Sequence, residues 1–270
     1  MNNKKFFFVT ICYNNLSGLK RTVNSLLAQS YQYWECVIID GDSNDGSKAY
    51  LEQLSSEHEN IKSFSESDRG IYDAMNKGIE RMTECDYFCF LNSGDSLFEA
   101  ETLVELNKKI SVFGEKPPAI VYGHACEEFA QGKEIVKPAN SEINLEKGMF
   151  CHHQSMLFHY RYAQLRYDLE YKLSADYDYI IRAVKMLGDQ SSIKMLDMVI
   201  SRFDMTGVSN SRRISGIMED FRLRVENDLC SYLSSGLYAA RSICLMGLKQ
   251  FSYPLYLFMR SKTTFNNQVI

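Results

Sequence analysis

Carboxylates stand where several apolar segments of this chain stop. "ECVIID" ends on Asp40, Asp68 follows "IKSFSE", and "DYFCFL" runs straight into "NSGD", residues 92 to 95. Asn14 closes the first run of this kind, "KFFFVTICYNN", and Asp42 follows two residues after Asp40. A strand that ends on amides, glycine and carboxylates delivers acceptors to an edge, where they meet the hydrogen-bond donors of a polar ligand.

Four competing chemistries leave no trace. There is no GxGxxG after the first run and no GxxxxGK[ST], against a dinucleotide or P-loop site. There is no GxSxG elbow and no HExxH. The eight Cys form no CxxC pair, and several lie inside apolar runs, as Cys12, Cys36 and Cys89 do. They read as buried, reduced thiols, which fits a cytoplasmic location.

The elements that must position these groups follow from periodicity. Residues 5–15, 35–40, 61–66 and 86–91 read as strands. Between them, Leu19, Val23, Leu26 and Leu27 share one helical face, with Ser17 as N-cap. Residues 47 to about 58 read as a helix, and Ile71, Met75, Ile79 and Met82 share a face of the next. Strands alternating with helices four times predict an α/β fold, with a mainly parallel central sheet flanked by helices. In such sheets ligands bind beyond the carboxyl ends of the strands, where Asn14, Asp40, Asp42, Asp68 and Asp95 gather. "AIVYGHA", "KEIVKPA" and "IKMLDMVIS" add later strands, and "SADYDYIIRAVKML" a later helix.

With 270 residues, 45% hydrophobic, the chain is long enough for a sizeable core. The formal net charge of −4, from 30 Lys+Arg against 34 Asp+Glu, argues against nucleic acid as the main partner. The apolar run at the N-terminus is too short for a signal peptide or a span.

Seven segments in this order, "VTICYNN", "VIIDGDSNDGS", "SESDRGIYDAMNKGI", "FLNSGDSL", "CHHQ", "SADYDYIIR" and "FDMTGVS", resemble the family 2 glycosyltransferases. The resemblance covers residues 6 to about 210. It implies the GT-A fold, with residues 1–210 as the transferase domain and 211–270 as a helical extension. It also implies sugar transfer from a nucleotide-diphosphate donor, UDP-sugar favoured, with inversion at the anomeric carbon. The subgroup it is most similar to makes bacterial surface polysaccharides such as colanic acid or O-antigen. The acceptor so implied is a saccharide, linked to a polyprenyl lipid.

The resemblance also assigns residues. Asp95 matches the metal-binding aspartate, with Mn²⁺ or Mg²⁺ as the ion, because a buried diphosphate beside carboxylates needs a divalent cation. Asn92 stands where the family has a second aspartate; with Ser93 it is expected to contact the ribose or a donor phosphate. Asp40 is expected to accept from the nucleobase, framed by Tyr13 and Asn14. Asp68 and Arg69 match a loop near the donor, where Asp68 also reads as a helix cap. Asp42 and Asp45 read as turn residues with N-cap roles. Inversion needs a base for the acceptor hydroxyl. The family supplies it from an "ED" pair; here the pair reads Ala175-Asp176, leaving Asp176 as base or as a simple helix N-terminal charge. Asp178, roughly 200° around the helix, cannot serve the same site. His153 and Gln154, in "CHHQ", are expected on the acceptor side.

The stretch from Gly236 to Met259 is apolar but broken by Arg241, Lys249 and Pro254. It reads as a packed core helix or as a helix on the membrane surface, in a peripheral enzyme. Two readings compete with transfer: a catalytically silent nucleotide-sugar-binding scaffold, and a nucleotidyltransferase. The second needs a basic Gly-rich loop that "YNNLSGLKR" renders poorly.

Overall fold

The apolar runs form strands and the amphipathic stretches between them form helices. The computed structural model describes residues 3–129, 132–141, 143–188, 192–205 and 213–251. The first half runs β1 (Phe6–Cys12), α1 (Leu16–Leu27), β2 (Trp34–Asp40), α2 (Ser47–Glu57), β3 (Ile61–Ser65), α3 (Ile71–Glu80) and β4 (Tyr87–Phe90). Every β1 residue is buried, as in a strand covered by helices on both faces. Alternate side chains feed two cores. Phe7, Val9 and Ile11 join Met75, Ile79, Phe90 and Ile180. Phe6 and Phe8 join Leu19, Val23 and Leu26 on the other face. The result is three layers, helix on sheet on helix.

Two local expectations need correcting. The N-cap of α1 is Asn15, not Ser17: its Oδ1 accepts the Gly18 N–H at 3.1 Å. Ile71 opens α3 but is exposed; the buried face there is Ala74, Met75 and Ile79.

The second half adds β5 (Ser96–Leu97), α4 (Thr102–Ser111), β6 (Ile120–Glu128), β7 (Glu134–Lys137), β8 (Met156–His159), α5 (Ala175–Leu187) and β9 (Ile193–Asp204). The described strands form one sheet in the order β3-β2-β1-β4-β8-β6-β9-β5, with β7 paired to β6. The β3-β2-β1-β4 half is parallel. β8 runs antiparallel between β4 and β6, and β9 runs parallel to β6. β5 follows β4 after five residues yet pairs with β9, at the end of the sheet. Four strand spacings are roughly 19 Å, and the link is tightened by a turn in which Asp95 N–H bonds Asn92 C=O. The sheet therefore curls, and the turn between β4 and β5 lies where its halves approach.

α6 (Arg213–Glu226) and α7 (Tyr232–Phe251) complete the described residues and pack on each other. The boundary expected near residue 210 lies outside the described residues, as do 252–259 of the apolar stretch. No described helix is long and apolar enough to cross a membrane.

Candidate active site

The carboxyl ends of β1 and β2 are laced together by small polar side chains. Asn14 adopts a left-handed backbone, φ 47°, which asparagine tolerates. Its N–H donates to Ser43 Oγ at 2.8 Å, and its Oδ1 accepts the Asn44 N–H at 2.9 Å. Ser43 in turn holds Asp40, through its N–H at 3.0 Å and its hydroxyl. Ser65 Oγ gives Asp40 a third bond at 2.6 Å. Asp40 is 0% exposed. Asp40, expected beside the nucleobase, here braces the loop through Ser43 and Ser65.

Gly41, next in line, is crowded: a Cβ there would lie 2.5 Å from Asp68 Oδ2 and 3.2 Å from the Tyr13 ring. Asp68 and Tyr13 therefore converge over bare backbone that only glycine provides. The other Asp68 oxygen accepts the Gly70 N–H at 2.8 Å, at the head of α3. The Tyr13 side chain is open to solvent, 67% exposed. Arg69 is also exposed and pairs with Asp73 at 2.8 Å. Beside them, an open groove of about 390 Å³ is lined by Asn14, Asn15, Leu16, Ser17, Lys20 and Asp45. Asp45 accepts from Ser47 N–H at 3.1 Å, at the start of α2.

The "NSGD" turn is wound around one hydroxyl. Thr22, buried on α1, places its Oγ 2.6 Å from the Asp95 carbonyl and 3.1 Å from the Asn92 carbonyl. The same oxygen accepts the Gly94 N–H at 3.1 Å. Asn15 Nδ2 donates to the Ser93 carbonyl at 3.2 Å, tying the turn to the head of α1, and Ser93 Oγ donates to Asn15 C=O at 3.2 Å. The Ser93 hydroxyl is thereby committed to the scaffold.

Asp95 is not at a solvent-facing strand end; it is 5% exposed. Its Oδ1 accepts the Asp204 N–H at 3.0 Å, and the nearby Gln154 side chain favours its charged form. Burial, then the neighbouring Asp204 charge, push the Asp95 carboxyl up to about 7. Asn92 Oδ1 is buried without a partner. Two adjoining carboxylates and an orphaned amide oxygen on the same turn are hard oxygen donors. They suit Mg²⁺ or Mn²⁺ completing its shell with phosphate and water. No cluster of three His, Cys, Asp or Glu able to hold an ion occurs among the described residues.

Asp176 stands in the first turn of α5, half-buried. Tyr72 OH lies 3.3 Å from its Oδ1, and Tyr177 N–H donates to the same oxygen at 2.9 Å. Burial foremost, with the Asp220 charge, raises its carboxyl to about 6. Asp178 is 5% exposed and spent on Arg182, at 2.6 Å. The two carboxylates of this turn thus have different fates, as the helical phase predicts.

His153 is a correction. It is 5% exposed, stacks on Phe90 at 5.0 Å between centroids and bonds Tyr167 OH at 3.1 Å. Burial drops its pKa to about 3, so it is a neutral core imidazole and not a substrate contact. Its neighbour His152 faces the other way, stacking on Phe203 at 4.5 Å and meeting Glu127 at 3.1 Å. Gln154 belongs with Asp95. The His153–Gln154 step nonetheless joins the two acidic centres: Gln154 touches Asp95, His153 touches Tyr167, and Tyr167 stacks on Tyr72 at 5.3 Å.

Sequence reasoning missed Thr22, Tyr72 and Asp204. Two of them had a local signal, Tyr72 inside the quoted segment "SESDRGIYDAMNKGI" and Asp204 inside "FDMTGVS".

The model of the family described as "Glycosyl transferase family 2" matches residues 7–172. The chain is 30% identical over 219 residues to an uncharacterised glycosyltransferase of Mycobacterium tuberculosis (strain ATCC 25618 / H37Rv), covering 79% of this chain and 80% of that one. Among solved structures, S. aureus TarS 1–349 in complex with UDP aligns with a TM-score of 0.63 at 16% identity, over 92% of this chain and 72% of that one. Mannosyltransferase PcManGT from Pyrobaculum calidifontis, in complex with GDP-Man and Mn²⁺, aligns with a TM-score of 0.60 at 13% identity, over 98% and 82%. At these identities the likeness shows the fold, which is GT-A, as the resemblance implied.

Proposed function

The chain belongs to glycosyl transferase family 2, and on that premise we propose that it is an inverting transferase. It moves a sugar from a nucleotide-diphosphate donor, a UDP-sugar by preference, to a saccharide acceptor, with Mn²⁺ or Mg²⁺. The observation that carries this reading is the pair of acidic centres, Asp95 and Asp176, joined through residues 153 and 154. Both carboxyls are pushed upward by burial, the condition in which acidic residues at functional sites are found.

The residues divide the work. The Tyr13 ring and the backbone at Gly41, braced by Asp40 and Asn14, offer the base a flat face and close main-chain approach. Arg69, exposed beside Asp68, can exchange Asp73 for a phosphate bidentately. Asp95 and Asp204, with Asn92 Oδ1, would hold the cation, whose charge would offset that of the departing diphosphate. Asp176 takes the proton of the acceptor hydroxyl as that oxygen attacks the anomeric carbon. Tyr72 OH orients the carboxylate for that step. A silent scaffold would have no use for a carboxyl raised toward neutrality at Asp176.

The acceptor we propose is a lipid-linked saccharide of bacterial surface polysaccharide assembly, met at the inner face of the cytoplasmic membrane. Support comes from α7, whose Tyr232, Leu233 and Leu237 are exposed. Co-sedimentation of the full chain with anionic vesicles checks this part.

The test of the reaction class is thermal stabilisation by UDP-, GDP- and dTDP-sugars with and without Mn²⁺. One donor class should raise the melting temperature only with the metal, by mass action. Stabilisation by no donor would overturn the reading; stabilisation indifferent to metal would remove the cation from it.

A further inference from the structure

α6 lies beyond the residues matched by the family model, yet it reaches the loop that carries Asp176. One Glu219 carboxylate oxygen accepts the N–H of Lys172 at 3.0 Å. The other accepts those of Leu173 at 2.8 Å and Ser174 at 2.9 Å. Ser174 Oγ also donates to the Gly216 carbonyl at 3.3 Å, one turn earlier on α6. From the opposite side, Tyr72 OH donates to the Leu173 carbonyl at 2.9 Å while it meets Asp176. The peptide before α5 is thus gripped on its N–H side from α6 and on its C=O side from α3.

This grip replaces something missing. Ser174 is the N-cap of α5, but its side chain makes no capping bond to the helix. Helices ordinarily fix their first turn with such a bond, and losing it costs about 1 kcal/mol and local order. Here the anchoring comes from a carboxylate 45 to 47 residues away in sequence.

We propose that Glu219 is a positioning residue for the transfer reaction. By clamping residues 172–174 it fixes the first turn of α5, so that the Asp176 carboxylate stands at Tyr72 and at the acceptor hydroxyl. The C-terminal helices are then part of the catalytic machinery and not an appendage. The inference rests on Asp176 being the base.

The test uses full-length Glu219→Gln, Asp176→Asn and the double variant. UDP release is followed with Mn²⁺ and UDP-glucose or UDP-N-acetylglucosamine. Glu219→Gln should lower turnover about tenfold or more at saturating donor, because misplacing a catalytic group by about 1 Å is costly. Donor KM should stay within about threefold, the pattern of an interaction made in the transition state. The double variant should be no worse than Asp176→Asn, because both changes disable one function. Carboxyl NMR of Asp176 should show its titration falling by about one unit in Glu219→Gln, as the loosened turn admits water; this decides the matter if neither probe is turned over. Should the Gln variant not fold, Glu219→Asp takes its place with the same readings. A variant that lowers only the melting temperature, or a loss that multiplies with Asp176→Asn, overturns the proposal. A harmless Asp176→Asn would sink the base assignment. A damaging Asp176→Asn beside a harmless Glu219→Gln would sink only the positioning role.

Discussion

The rim of the parallel sheet and the first turn of α5 each hold two buried or half-buried carboxylates, one compensated and one not. On the rim, Asp40 receives three hydrogen bonds from Ser43 and Ser65, whereas Asp95 faces the charge of Asp204. In α5, Asp178 is paired with Arg182, whereas Asp176 faces Asp220. The difference separates scaffold from site. A carboxylate that braces the scaffold is given hydrogen-bond donors or a cation of its own. A carboxylate kept for a cation or a proton is left short of partners, and its affinity for a proton rises. The two regions also differ in construction: the rim is stitched from strand-end neighbours, and the α5 turn from helices far apart in the chain.

The largest effect should separate Asp176 from Asp178. Asp176→Asn should cut turnover about a hundredfold or more, the usual contribution of a general base. Asp178→Asn should keep turnover within a few-fold, yet lose roughly 1–3 kcal/mol of stability by stranding Arg182, which is partly exposed. Denaturant melts and initial rates on both variants check this; equal losses of turnover would erase the distinction.

A comparable break is expected in pH. Facing Asp176 are Tyr72 from α3, Tyr167 from the preceding loop and Asp220 from α6, while Glu219 acts on Tyr72. With its carboxyl raised to about 6, turnover should fall about tenfold for each pH unit below that point, because the base becomes protonated. A flat rate between pH 7 and 5 would mean that no such base acts.

Thr22→Val probes the stitching of the rim. It keeps the shape but removes the hydroxyl around which the "NSGD" turn is wound. The Asp95 carbonyl and the Gly94 N–H lose this partner, so stability should drop about 1–3 kcal/mol. Donor affinity should weaken about tenfold as Asp95 shifts. An unaffected donor affinity would show that the turn holds its shape unaided.

The smallest effect is one of stability, and it has an unusual sign. Asp95 has its folded pKa raised to about 7, above the unfolded value near 4. Its protonated form stabilises the fold below pH 4, and that contribution is lost as pH rises through 7. Without added metal, Asp95→Asn should therefore raise the melting temperature by a few degrees at pH 8. A lowered melting temperature at pH 8 would place Asp95 with Asp40, among the compensated groups.

Much of this arrangement is legible in the residue pattern. Buried parallel strands announce themselves as apolar runs, and their polar ends mark the binding edge, so the rim positions from Tyr13 to Asp95 could be named. α4 carried the same kind of signal, Leu103, Leu106 and Ile110 at helical spacing, but went unread; β5, at two residues, has no period to read. Orientation was the limit. His152 and His153 are adjacent and chemically identical, and only the three-dimensional packing tells which one enters the aromatic core. Asp40 looks like Asp95 in sequence because the serines that satisfy it lie on a neighbouring turn and strand. Thr22 and Glu219 act through contacts 45 to 73 residues away, which leave no local trace.

The division of labour between the two acidic centres is tested most directly by donor binding alone. Calorimetry with Mn²⁺ and the stabilising nucleotide sugar should be run on wild type, Asp95→Asn and Asp176→Asn. Asp176→Asn should bind donor within a few-fold of wild type, because its carboxylate addresses the acceptor hydroxyl. Asp95→Asn should lose the metal-dependent part of the affinity. If Asp176→Asn instead loses donor binding as Asp95→Asn does, the two carboxylates serve one site and the account is wrong.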